Sequence, residues 1–377
     1  MKISVVGPTY PFRGGISHYN TLLCDHLSKT HQVHPISFRR LYPSFLYPGQ
    51  TLKDETSKKT LTLDNLDYPI DCINPLTWVK TSLEIRRQSP DLLIFHWWTP
   101  FLAFVYFTVS SLVKKLTNTK ILFICHNVLP HERTPIDKYF SKIAFRNTDF
   151  FIVHSEEDLE NLKAFLPNAL VKQTVLPSFD IFRFGEELRD KSKNRLGLNG
   201  TTVLFFGIVR KYKGLMYLVQ AMPKILMRLD ATLLVVGEFW DSKDKYLECI
   251  RRLGIKNNVR IIDRYVPNEE VALYFSAADL VVLPYVSATQ SAIVQIAYRF
   301  NKPVITTNVG GLPDVVENEK TGLVVEPRNS DAIADAIISY FDDGKEATFV
   351  ENIKKVKTKF SWDNVSATIE ELTRGCG

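Results

Sequence analysis

Residues 280–327, LVVLPYVSATQSAIVQIAYRFNKPVITTNVGGLPDVVENEKTGLVVEP, constrain the fold more than any other stretch of the chain. The short β-rich runs Leu280–Leu283 and Pro303–Thr306 enclose Ser291–Arg299, where Ala292, Ile293, Ile296 and Ala297 keep helical apolar spacing. Strand, tight turn, helix and strand in that order call for a parallel pair joined by a crossover, and so for an α/β sheet. In such a unit a ligand sits beyond the carboxyl ends of the strands. There a helix beginning near Thr289 offers free backbone N–H groups and its positive dipole end to a diphosphate. Thr289, Gln290 and Ser291 stand at that end.

The same alternation runs through the rest of the chain. Strands are expected at Ile3–Val6, Val33–Ser37, Asp91–Phe95, Lys120–Ile124, Asp149–Val153 and Lys172–Leu176. Beyond a polar connector at Arg183–Asn199 they resume at Thr202–Phe206, Ala231–Gly237 and Val259–Ile262. A chain of 377 residues, 45% hydrophobic and 23% charged, has room for two globular domains. The expected boundaries are 1–180 and 200–345. Ser155-Glu156-Glu157-Asp158 reads as a capping box that opens a helix and does nothing more.

Several classes of function are set aside by what the chain lacks. Cys24, Cys72, Cys125, Cys249 and Cys376 are odd in number and scattered, with neither a disulfide framework nor zinc-ligand spacing, which fits a reducing cytoplasm. MKISVVGP runs straight into a strand and is not read as a signal peptide. No G-x-G-x-x-G fingerprint argues for a dinucleotide. Asp342-Asp343 reads as a solvated helix end, so neither a metal nor a cofactor is expected.

Charge matters by position. The formal net charge of +6 belongs entirely to residues 1–120, which hold the basic pairs Arg39–Arg40, Lys58–Lys59, Arg86–Arg87 and Lys114–Lys115 and also the aromatic LYPSFLYPG at 41–49. This surplus suits an anionic membrane surface or a lipid-phosphate acceptor, as well as a plain solvated face. No nucleic-acid-binding motif accompanies it, and no nucleic-acid partner is expected. The uncharged stretch Trp97–Val113 falls between two expected strands. It reads as a buried crossover helix ahead of an interfacial or membrane-spanning segment, for which it is short against the usual ~20 residues.

Five pieces in register then carry a resemblance. Val5–Tyr19 (VVGPTYPFRGGISHY), Ile124–Asn127 (ICHN), Leu176–Phe182 (LPSFDIF), Leu204–Leu215 (LFFGIVRKYKGL) and the 280–327 unit resemble, in order, the landmarks of retaining, nucleotide-sugar-dependent glycosyltransferases of family 4. That resemblance implies an α/β protein of the GT-B fold, with two facing Rossmann-like domains and a cleft between them. It also implies a C-terminal helix, within 361–377, that packs back on the first domain.

What the resemblance implies for the site is specific. Lys213 matches the family's phosphate-binding Lys before Gly; the family's Arg five residues earlier is Ile208 here, and Arg210 is the substitute. Cations are wanted there because the leaving diphosphate gains negative charge as the sugar–phosphate bond breaks. Gly14, Gly15 and Gly207 let backbone approach the donor, and His126 matches the family's His beside the reacting carbon. His18, His131 and Glu132 are weaker candidates on the acceptor side, while Gly310 and Gly311 read as turn formers. One departure stands out: the family's two glutamates fall on Ala288 and Ile296, leaving Gln290 and Gln295 as the nearby groups able to bond sugar hydroxyls.

The expected activity is transfer of a sugar, with retention, from a nucleotide diphosphate sugar to a hydroxyl acceptor. The acceptor is a glycan or a lipid-linked molecule in bacterial surface polysaccharide or glycolipid synthesis, with the protein cytoplasmic and in peripheral contact with the membrane's inner face. Two other readings stay open: a catalytically inactive nucleotide-sugar-binding partner, and a sugar-nucleotide epimerase or hydrolase of the same fold.

Overall fold

The computed structural model describes residues 1–43, 49, 51–129, 135–183 and 188–374. His131 and Glu132 lie outside the described residues, as do most of 41–49 and Cys376. The described chain divides into two compact units. Met1–Glu55, Thr60–Val175 and Trp362–Gly377 form the first, and Thr56–Lys59 with Leu176–Ser361 the second.

The first unit is a seven-stranded, wholly parallel sheet. Its strands are β1 (Lys2–Val6), β2 (Gln32–Arg40), β3 (Asp67–Asp71), β4 (Leu92–Trp97), β5 (Lys120–Cys125), β6 (Phe150–Val153) and β7 (Leu170–Gln173), ordered β3-β2-β1-β4-β5-β6-β7. Helices α1 (Gly15–Leu27), α2 (Pro75–Gln88), α3 (Ala103–Leu116), α4 (Pro135–Phe145) and α5 (Glu156–Phe165) connect them. The reversal of strand order at β1 sends α1 to one face and, by the right-handed crossover rule, α2 to α5 to the other. Central strands covered on both faces must be apolar throughout, and β4 and β5 are buried along almost their whole length. Each fully buried Leu, Ile or Val there contributes about 1.5–3 kcal/mol.

The second unit is a six-stranded parallel sheet ordered β10-β9-β8-β11-β12-β13. Its strands are β8 (Thr201–Phe206), β9 (Ala231–Val236), β10 (Val259–Ile262), β11 (Leu280–Leu283), β12 (Val304–Thr307) and β13 (Gly322–Val325). Its helices are α6 (Arg189–Leu196), α7 (Leu215–Leu226), α8 (Asp244–Arg252), α9 (Val271–Ala277), α10 (Ala292–Arg299), α11 (Leu312–Val315), α12 (Ser330–Asp342) and α13 (Glu346–Val356). α14 (Trp362–Thr373) then returns the chain to the first unit.

Most expected strands form, with shifts that have physical causes. β4 runs two residues past the expected Phe95, because His96 and Trp97 still pair with Ile124 and Cys125 and are fully buried. β3 was not expected: DYPID is short and polar, and it carries a proline that only an edge strand tolerates. The stretch 97–113 contributes the crossover α3, and among the described residues no helix is long and apolar enough to cross a membrane.

Candidate functional site

In the second unit the sequence candidates converge where β8 and β11 end. β8 stops at Gly207, whose φ of 111° lies in the range that favours glycine, and a Cβ there would stand 3.4 Å from the Lys213 ammonium. The chain continues through Arg210 into a single turn at Lys211–Lys213 and reaches Gly214. Gly214 is obligatory: its φ is 67°, and an added Cβ would lie 1.8 Å from the Pro284 carbonyl oxygen. That close approach clamps the basic turn onto the segment after β11.

The clamp sets the position of Lys213. Its Nζ donates to the Tyr285 hydroxyl at 3.1 Å and sits 4.9 Å from the centre of the same ring. Burial works against the ammonium, but the hydroxyls of Tyr285 and Tyr212 outweigh it over the opposition of Arg210, so its pKa moves up and the group stays charged at neutral pH. The Tyr285 hydroxyl is in turn 3.3 Å from Ser291 Oγ. The Arg210 guanidinium lies over the rings of Tyr212 and Trp240.

Ser291, rather than Thr289, caps the helix: its Oγ accepts from the Ile293 N–H, and α10 begins at Ala292. Thr289 and Gln290 therefore lie in the preceding turn, locked to the glycine pair ahead of α11. The Gly311 N–H donates to the Thr289 carbonyl at 2.8 Å, and the Gln290 amide donates to the Gly311 carbonyl at 3.3 Å. Gly310 approaches this turn so closely that a Cβ would fall 1.7 Å from the Ala288 oxygen. Ala288 and Ile296 are buried and apolar and can bond no hydroxyl. Gln295 is 1% exposed, and its amide O and N have no hydrogen-bond partner among the described residues.

The other candidates lie in the first unit. Gly14 has a φ of 111° and N-caps α1, with Gly15 exposed as the first helical residue and His18 Nδ1 donating to the Gly14 carbonyl at 3.0 Å. His126 follows β5 and belongs to a cluster. Its Nε2 lies 3.0 Å from His96 Nδ1, with one imidazole N–H between them and the rings stacked at 15°. His154, after β6, donates through Nδ1 to the Thr174 carbonyl at 2.9 Å. Tyr19 of α1 presents its ring to His96, His126, His154 and Trp362, all within 5.6 Å between centroids. Gly7 lets His96 pack against β1: a Cβ there would meet the His96 Cδ2 at 2.8 Å.

Burial lowers all three histidines, His96 to about 3, His154 to about 4 and His126 well below the ordinary value, where His96 and His154 add to the effect. The imidazoles are neutral at pH 7 and can act as hydrogen-bond partners rather than as charges. Asp158 does more than complete a capping box. Ser155 Oγ does accept from its N–H, but its carboxylate also accepts from the Val128 N–H at 2.9 Å and so holds the segment after His126.

Sequence reasoning missed Tyr285, His96 and Tyr19. The signal was present for His96, which follows an apolar run as His126 does; the pairing with Tyr285 joins residues 72 apart and leaves no local trace.

Comparison with known proteins adds to this geometry. The family described as Glycosyl transferases group 1 matches residues 200–343. An uncharacterised glycosyltransferase of Methanocaldococcus jannaschii is 34% identical over 168 residues, 44% of this chain and 42% of the relative. The chain spans about half the length of the curated relatives it matches. Among solved structures, sucrose-phosphate synthase of Thermosynechococcus elongatus superposes with a TM-score of 0.75 at 19% identity, over 99% of this chain and 98% of the other. HepE of Anabaena, in complex with UDP, gives 0.75 at 19% over 98% and 99%.

Proposed function

From residues 200–343 as a group 1 glycosyl transferase domain, in a chain whose fold is that of GT-B enzymes, we propose that the protein transfers a sugar from a nucleoside diphosphate sugar to a hydroxyl acceptor. The observation that carries the reading is the Lys213 ammonium, charged and fixed at Tyr285 beside the bare backbone of Gly207. A diphosphate bound there meets a cation and the N-terminus of α10, both aimed before reaction at charge that grows in the transition state. Lys213 and Arg210 hold the diphosphate, and His126 acts on the sugar. No metal is required in this scheme, since the two cations supply the countercharge.

The donor is tested by a panel of UDP-, GDP-, dTDP- and ADP-sugars, reading thermal stabilisation and diphosphate release together. UDP-sugars come first, because HepE was solved with UDP. The partner donor at a hundredfold excess over its dissociation constant stabilises the protein by about 2.7 kcal/mol. Lys213→Met lowers turnover about 10²–10³-fold, the loss typical of one preorganised donor. Turnover unchanged in that variant would remove the phosphate role. The inactive-partner reading is favoured by one feature, the apolar Ala288 and Ile296; it predicts donor binding with no diphosphate released under any acceptor. Retention at the anomeric carbon and a surface-polysaccharide or lipid-linked acceptor complete the proposal.

A further inference from the structure

The crossovers α2, α3 and α4 pack side by side on one face of the first sheet, and their inner residues, such as Ile85, Tyr106, Val109 and Phe145, are buried. Their outer face does not look like an ordinary solvated surface. Leu76 (71% exposed), Val79 and Leu83 form an i, i+3, i+7 stripe along α2; Phe104 (51%) stands on α3, and Ile136 (56%) and Tyr139 (63%) on α4. Single exposed apolar residues are unremarkable, but a group gathered on three neighbouring helices calls for an explanation.

Cations are set among them. The three helices carry seven Lys or Arg against Glu84 and Asp137; Arg87 pairs with Glu84 and Lys114 with Asp149, and the other cations are Lys80, Arg86, Lys115, Lys138 and Lys142. Lys80 lies within the α2 stripe, Lys115 lies on the same side of α3 as Phe104, and Lys138 and Lys142 flank Tyr139.

We propose that this outer face of α2, α3 and α4 rests on an anionic lipid surface, with the six apolar side chains entering the acyl boundary and the lysines at the headgroups. A nucleic acid backbone would cover the cations and leave Leu76, Leu83 and Ile136 without an apolar environment. A bilayer satisfies both sets and needs no complementary shape. The inference stands apart from the catalytic reading, and its test requires no donor or acceptor.

The experiment is co-sedimentation of the whole protein with vesicles of phosphatidylcholine alone or with phosphatidylglycerol added, at low and high salt. Binding is expected to the anionic vesicles only, with release by salt. Lys138→Gln and Lys142→Gln each weaken partition about fivefold, the factor for one lost cation near such a surface, and Ile136→Ser with Tyr139→Ser weakens it at least tenfold. These residues are exposed, so the melting temperature of each variant stays that of the parent, which separates lost binding from lost folding. Absence of binding to anionic vesicles, or binding untouched by the substitutions, overturns the proposal. So does lipid-free dimerisation in the ultracentrifuge that these substitutions abolish, which would assign the face to a second copy of the chain.

Discussion

His96, His126 and His154 are three weak bases held neutral inside one ring cluster, and that has a cost on acidification. In the unfolded chain each takes up a proton near pH 6.5, while the folded state holds His96 at about 3 and His154 at about 4. Below pH 6.5 the unfolded state therefore binds more protons, and stability falls as the pH falls, by at most about 1.4 kcal/mol per pH unit for each of His96 and His154, with His126 acting in the same direction. The melting temperature is expected to drop steadily between pH 6.5 and 4, and His154→Asn should flatten the profile. An unchanged melting temperature across that window would mean that the cluster admits water and titrates normally. Groups that face the cluster but do not titrate there, Tyr19 above all, leave the sign unaltered: burial drives the Tyr19 hydroxyl far up, away from ionisation.

At the scale of elements, the basic turn between β8 and α7 depends on one glycine. Gly214→Ala places a Cβ in the Pro284 carbonyl at a φ that an L side chain rarely adopts. It should destabilise the protein by about 1–3 kcal/mol in denaturant titration and weaken nucleotide binding, because Lys213 and Arg210 move with the turn. Loss of stability with nucleotide affinity intact would separate the turn from the site. This element also shows how far the sequence could be read. The apolar runs that become β8 and β11 are visible locally, because strands buried on both faces must be apolar throughout. The helical span Ser291–Arg299 is legible to within a residue of α10, but which of Thr289 and Ser291 caps it is not: both are good caps, and Thr289 is instead held in the preceding turn by the Gly311 N–H, as Gln290 is by the Gly311 carbonyl, about twenty positions away. Likewise the burial of Gln295, the amide read in sequence as able to bond sugar hydroxyls, comes from the packing of α10 as a whole and has no local mark in the sequence.

For the whole molecule, neither unit is a continuous piece of chain. The first is completed by α14, whose Trp362 meets the Tyr19 ring at 5.1 Å, while His26 and His31 pair with Asp363 and Glu370 on the same helix. The second unit takes in Thr56–Lys59, where the Lys58 N–H donates to Glu269 at 2.9 Å and the Asn268 N–H to Ser57 Oγ at 2.8 Å. Trp362→Ala should destabilise the first unit by about 2 kcal/mol, seen as an earlier loss of hydrogen-exchange protection in β1 and β4, with β8 and β11 unaffected. Equal loss in both units would mean that they unfold as one.

Because α14 is encoded after the second unit, the order of synthesis is not the order of completion. On the ribosome the strands of the first sheet emerge early, but the helix that closes over Tyr19 waits for the whole of Leu176–Ser361, tens of seconds at common elongation rates. The unit begun first is finished last. During that interval the nascent chain carries an open ring cluster, and that is when a chaperone has most to cover.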